Sequence, residues 1–201
     1  MTVSIIAYGL GNLGSVVNML QRVGVVPRLV RTPEEVLESE RLLLPGIGAF
    51  DTGMQALDDR GLVPPIREFV ASGRPLLGIC LGMQLLLEAS AEGLAAGLGL
   101  IPGQSQRFRT APGLRVPHVG WNVVEPTRDD PLVAGLPARS RFYFVHSYHV
   151  VPSNDAHKLG VTDYGGPFVS MVRAGNVMGA QFHPEKSHEF GKIVLRNFAG
   201  L

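Results

Sequence analysis

The chain has 201 residues and a mass of 21.6 kDa, with 45% apolar and 17% charged residues; this fits one α/β domain over residues 1–201 and excludes a disordered or coiled-coil chain. Its 18 basic and 17 acidic residues leave a net charge of +1, too small a field to attract nucleic acid or an anionic membrane, so a small ligand is expected. One cysteine excludes an internal disulfide, no stretch approaches the ~20 apolar residues of a membrane helix, and no charged leader opens the sequence, so a soluble cytoplasmic protein is expected.

Val3–Ala7 reads as a buried strand, followed by a Gly-rich turn and an apolar helix stripe of Leu13, Val16, Val17, Leu20 and Val23 that ends at Gly24. Val25–Val30 is the second strand, after which Thr32, Pro33 and Glu35 form a capping box with proline at the first helical position. The third strand, Arg41–Leu44, enters the loop Pro45-Gly46-Ile47-Gly48-Ala49, with helical segments reaching about Gly61 and running from Pro64 to Ser72. Pro75–Ile79 is the fourth strand. This alternation predicts a mostly parallel central sheet with helices on both faces and ligands at the carboxyl ends of its strands.

Beyond about Leu98 the pattern turns to short β-like runs: Gln106–Arg109, Trp121–Glu125, Arg141–Val151, and Phe168–Arg173 with Asn176–Phe182 around the turn Ala174-Gly175. Antiparallel hairpins are therefore expected in the C-terminal half. Ser187 is placed to cap a last helix carrying Phe190, Ile193, Val194 and Phe198 on one stripe.

Gly78-Ile79-Cys80-Leu81-Gly82-Met83-Gln84 lies between an apolar strand and a helix on which Leu81, Leu85 and Glu88 are spaced for one face. It has the form of a nucleophile elbow with cysteine at its apex, where side chains in place of the flanking glycines would collide with neighbouring backbone. A helix start favours thiolate and leaves the Leu81 N–H for an oxyanion; a buried core cysteine is the alternative. A thiolate attacking an amide also needs a base, a group to orient it and a second oxyanion donor. His183-Pro184-Glu185, at a strand end, supplies His183 as base and Glu185 as its orienting carboxylate, with a surface histidine as the alternative. The Pro45–Ala49 loop can present an N–H near Ile47 or Gly48, and its glycines permit a peptide flip.

Taken together, these segments resemble the class I glutamine amidotransferases: Pro45-Gly46-Ile47-Gly48 their oxyanion strand, Gly78–Gln84 their nucleophile segment, and His183-Pro184-Glu185 the rest of their triad. Three further stretches, Pro117-His118-Val119-Gly120-Trp121-Asn122, Tyr143-Phe144-Val145-His146-Ser147-Tyr148 and His183-Pro184-Glu185-Lys186-Ser187, are similar to the family of glutaminase subunits of imidazole glycerol phosphate synthase. That resemblance implies hydrolysis of L-glutamine to glutamate and ammonia through a cysteine thioester. The ammonia would pass to a separate (βα)8 cyclase subunit in histidine biosynthesis, and no cofactor is implied. It further implies that Gln84 and Glu92 hold the α-amino group of glutamine, that backbone near Ser147 and Tyr148 holds its carboxylate, and that Asn12, Trp121, Tyr143 and Lys186 line the contact with the cyclase.

Other readings are weaker. Gly9-Leu10-Gly11-Asn12-Leu13-Gly14 satisfies a dinucleotide fingerprint, but strand two ends at Val30-Arg31 without the acidic residue a ribose requires. Six histidines and one cysteine show no HExxH or paired CxxC spacing, so no metal is expected. A scaffold without activity is disfavoured by the intact Cys80, His183 and Glu185. Other class I glutaminases, serving a different acceptor, share the same chemistry.

Overall fold

The computed structural model describes residues 1–109 and 113–201. Its N-terminal half follows the expected βα alternation: β1 (Thr2–Ile6), α1 (Leu13–Arg22), β2 (Val26–Val30), α2 (Pro33–Leu37), β3 (Leu42–Gly46), α3 (Phe50–Asp58), α4 (Val63–Ala71), β4 (Leu76–Cys80) and α5 (Leu81–Leu85). The capping box forms, with Thr32 and Glu35 each serving the other's backbone N–H. Then come β5 (Ala89–Ser90), β6 (Gly103–Arg107), β7 (His118–Val123), β8 (Glu125–Pro126), β9 (Arg141–His146), β10 (Tyr148–Pro152), β11 (Lys158–Asp163), β12 (Pro167–Ala174), β13 (Val177–Ala180) and α6 (His188–Ala199).

The main sheet runs β2-β1-β3-β4-β13-β12-β10-β6-β5, with β11 and β8 attached beside β12, while β7 and β9 form a separate antiparallel pair. Strands β2 through β13 along this path are parallel, and β13-β12-β10-β6 are antiparallel. Parallel strands are buried on both faces, so neighbouring residues feed opposite cores. Ile5, Leu43 and Leu77 pack with α1 and α6 residues such as Leu20 and Phe198, whereas Ile6, Leu44 and Leu76 pack with Phe50, Ile66 and Phe69 of α3 and α4.

Several local expectations change. Strand β3 continues through Pro45 and Gly46, because Gly46 pairs with Cys80 at the end of β4. The expected Arg141–Val151 run breaks at Ser147 into β9 and β10, which join different sheets. α5 stops at Leu85, so Glu88 is not on a helix; its backbone N–H donates to the Gly103 carbonyl and its carboxylate accepts from the Gly103 N–H. β11 had no sequence signal of its own, because its burial alternates irregularly around Gly160, where its register against β12 shifts.

Candidate active site

Three adjacent strand ends build the site. β4 lies between β3 and β13, so the Pro45–Ala49 loop, Cys80 and the segment after β13 emerge side by side at one edge of the sheet. Cys80 has φ 54° and ψ −110°, a conformation in which non-glycine residues are strained by about 1–3 kcal/mol. The glycines of the elbow permit it. A Cβ on Gly78 would come 2.6 Å from the Gly82 carbonyl oxygen, and one on Gly82 would strike the Leu44 carbonyl of β3. Leu81 is the first residue of α5, so its N–H has no acceptor within the helix and is available at the mouth of the site. Since α5 has only five residues, these local N–H groups matter more than a summed helix dipole.

His183 Nδ1–H donates to Glu185 Oε1 at 2.7 Å, with both side chains buried. Nε2 is buried without a partner among the described residues and lines the same cleft as Cys80. Burial pulls the imidazole pKa down, but the nearby Cys80 sulfur and the Glu185 carboxylate outweigh it and raise the value to about 9. Ser187 does not cap α6 with its side chain as expected. Its hydroxyl instead donates to the His183 carbonyl at 2.6 Å and accepts the Tyr143 N–H at 3.0 Å, while the His183 N–H donates to the Tyr143 carbonyl at 2.9 Å. The histidine backbone is thus pinned to β9.

On the other side of Cys80, the loop is held at both ends. Buried Tyr8 donates its hydroxyl to the Pro45 carbonyl at 2.8 Å, and a Cβ on Gly46 would come 2.7 Å from that hydroxyl oxygen. At the far end the Glu92 carboxylate accepts the Phe50 N–H at 2.8 Å, which supplies the cap that Ala49 lacks at the start of α3. Asp51 returns the contact by accepting the N–H groups of Leu94 and Ala95, each at 3.0 Å, and these bonds hold its carboxyl below the usual range. Between these anchors Gly48 has φ 100° and Ile47 is 47% exposed. The Gly9–Gly14 turn abuts this loop, since a Cβ on Gly11 would meet the Pro45 ring at 3.2 Å.

A cleft of about 330 Å³ brings together Cys80, His183, Leu81, Ile47, Gly48, Gln84, Glu92, Ser147 and Tyr148. Of the residues expected around the reacting atoms, Glu185 alone stands behind, against the far side of His183. The Gln84 amide donates to the Tyr148 carbonyl and to Gln181 Oε1, both at 3.1 Å, so its two N–H groups are used and its oxygen remains as an acceptor. An acceptor is what an ammonium group requires. Gln181, buried in β13's continuation, donates to Cys80 Sγ at 3.8 Å. Sequence reasoning missed the roles of Gln181, Tyr8 and His146, which also lines the cleft; each is a polar residue in an apolar segment, and that was the only available signal.

Trp121 and Tyr143 face each other across β7 and β9, with ring centroids 6.0 Å apart, and Lys186 Nζ lies 5.6 Å from the Tyr143 ring. With exposed Val119 and Val145 they form an apolar face beside the cleft. Asn12 is not on this strand pair; it caps α1, accepting the Ser15 N–H at 3.3 Å. Among the described residues no three metal-ligating side chains cluster, and no helix is long and apolar enough to cross a membrane.

Comparison with known proteins agrees with this geometry. The chain is 46% identical over 198 residues to Imidazole glycerol phosphate synthase subunit HisH 2 of Pseudomonas aeruginosa, covering 98% of each. It is 49% identical over 197 residues to the HisH subunit of Streptococcus gordonii, covering 96% of this chain and 93% of the relative. Among solved structures, a chain of PurLQS from Thermotoga maritima matches with a TM-score of 0.76 at 20% identity, covering 99% of this chain and 97% of that one. A second, described as a glutamine amidotransferase, matches with a TM-score of 0.73 at 23% identity over 99% of both chains. At that identity the structures attest the fold. The model of the family Glutamine amidotransferase class-I matches residues 4–200, and this chain belongs to that family.

Proposed function

We propose that this chain is the glutaminase subunit of an imidazole glycerol phosphate synthase, one amidotransferase domain over residues 1–201 that acts in the cytoplasm. It hydrolyses L-glutamine and delivers the ammonia to a cyclase subunit in histidine biosynthesis. The observation that carries the reading is the convergence of the Cys80 elbow, the His183–Glu185 pair and the doubly anchored Pro45–Ala49 loop on one cleft, in a chain about half identical to HisH subunits over nearly its whole length.

In this reading the α-ammonium of glutamine sits between the free oxygen of Gln84 and the Glu92 carboxylate, and its carboxylate meets the backbone of Ser147 and Tyr148. Cys80 Sγ attacks the side-chain amide carbon, and the oxyanion is held by the Leu81 N–H and a donor from the Ile47–Gly48 segment. His183, charged by the thiol proton, passes a proton to the departing nitrogen, leaving a thioester and free ammonia. It then takes a proton from water, which attacks the thioester and releases glutamate. Glu185 fixes the ring with Nδ1 protonated, so that Nε2 does the exchanging. Ammonia released into water becomes ammonium, a poor nucleophile, so hydrolysis is useful only when the acceptor is engaged. Trp121, Tyr143 and Lys186, with Asn12 at the rim of the loop, form the surface the cyclase covers.

The test is glutamate release by the chain with and without the cyclase and its nucleotide ligand, alongside Cys80→Ala. Strong stimulation by the liganded cyclase and loss of turnover in the variant are expected. Full turnover by the isolated chain refutes the gating, and retained turnover in Cys80→Ala refutes the nucleophile.

A further inference from the structure

His118 and His146 are 3% and 6% exposed, sit outside the catalytic pair, and have no part in the chemistry above. They lie in an aromatic box, His118 stacked between Phe144 and Tyr164, His146 beside Phe108 and Phe168. Burial lowers their pKa values to about 4 and about 3, so both rings are neutral and each offers one donor and one acceptor.

Neutral rings in a chain of hydrogen bonds allow one proton arrangement here. The Tyr148 carbonyl can only accept, so His146 Nδ1, 2.7 Å away, carries its hydrogen and Nε2 is the acceptor. His118 Nδ1 must then donate to that Nε2 at 3.1 Å, leaving His118 Nε2 to accept from Asn122 Nδ2 at 3.4 Å. The Asn122 amide is oriented independently: its nitrogen donates to the Asp163 carbonyl at 2.8 Å and its oxygen accepts the Val123 N–H at 2.8 Å. Both ends of the wire therefore demand the same direction. Its inner end is the carbonyl that also receives the Gln84 amide, whose second N–H reaches Gln181 and through it Cys80 Sγ.

We propose that His146 at the end of β9, backed by His118 and Asn122 of β7, is a positioning residue that fixes the Tyr148 carbonyl, and with it the Ser147–Tyr148 backbone and the Gln84 amide on which glutamine's carboxylate and ammonium rest. This rests on the glutaminase reading. It assigns the wire to substrate binding and not to proton transfer.

The experiment uses the intact chain assembled with the cyclase and measures glutamate release against glutamine concentration. His146→Phe keeps the ring in its box and removes the donor; a roughly fivefold to tenfold rise in KM, with kcat within about twofold of the parent, is expected. His146→Asn, which returns a donor near the Nδ1 position, recovers most of that loss. His118→Phe leaves the Nδ1 hydrogen of His146 on the carbonyl but removes the donor to its Nε2 and loosens the ring, so a smaller rise in KM is expected; the double variant is no worse than His146→Phe alone. A loss confined to kcat, or additive effects in the double variant, overturns the proposal. Nitrogen-15 shifts of the parental side chains give a second readout that does not depend on any variant folding. Both rings neutral with hydrogen on Nδ1 from about pH 6 to pH 8 is expected, and hydrogen on His146 Nε2 overturns the wire. A parental pair that releases no glutamate would refute the functional reading, while the tautomers would still decide the wire.

Discussion

Replacing Glu185 by glutamine keeps the shape of the side chain and removes the charge that His183 leans on. In the parent, a rise of the imidazole pKa from 6.5 to about 9 corresponds to about 3 kcal/mol in favour of the protonated ring, shared between the Cys80 sulfur and Glu185 after burial is overcome. The folded value lies above the unfolded one, so this stabilisation is complete below pH 6.5 and is lost as pH rises through about 9. Loss of the charge-assisted bond at 2.7 Å removes about 1.5–3 kcal/mol, or ~10- to 150-fold in kcat/KM near neutral pH. The high-pH limb of the activity profile should also move down toward neutrality, because the ring loses its acid proton earlier. Glutamate release by the assembled pair from about pH 6 to pH 10 measures both. An unmoved limb with a loss below about threefold would refute Glu185 as the group that holds the charged histidine.

Three further outcomes follow from the packing around the elbow. Gly82→Ala forces a methyl group onto the Leu44 carbonyl and should destabilise the fold by more than about 3 kcal/mol, read by thermal or urea unfolding; a parental midpoint would contradict the close approach of α5 to β3. Tyr8→Phe deprives the Pro45 carbonyl of its donor; about 1 kcal/mol of stability should go, with kcat falling severalfold at constant KM, and an unchanged kcat would show that the hydroxyl does not hold the oxyanion loop. Glu92→Gln retains an oxygen for the Phe50 N–H but loses the charge opposite the substrate ammonium. A rise of about tenfold or more in KM with little change in kcat is expected from initial rates, and an unaltered KM would remove Glu92 from the binding site.

The elements legible in the amino-acid order are those governed by near neighbours. The capping box at Thr32, the glycines that let Cys80 take a positive φ, and the proline between His183 and Glu185 act over a few residues, so their geometry followed from spacing. The parallel strands β1, β3 and β4 were equally readable, because strands buried on both faces carry nearly continuous apolar runs, whereas β2 lies at the sheet edge with Val26 and Arg28 exposed. Family resemblance added expected substrate-binding roles for Gln84, Glu92, Ser147 and Tyr148, which no local pattern singles out, and the four residues line one cleft.

Tertiary structure alone decided which polar side chains meet. Ser187 read as a helix cap and instead pins the His183 backbone; Glu92, expected from the resemblance to meet substrate, caps α3; His146 read as a strand residue and is hydrogen-bonded to His118 across β7 and β9. The Ser187–Tyr143, Glu92–Phe50 and His118–His146 contacts join segments far apart in the chain: β9 lies against the segment after β13, the segment after α5 reaches the start of α3, and β7 pairs with β9. A buried donor or acceptor must find a partner wherever packing places one, and that place depends on the fold as a whole and not on the residues beside it in sequence.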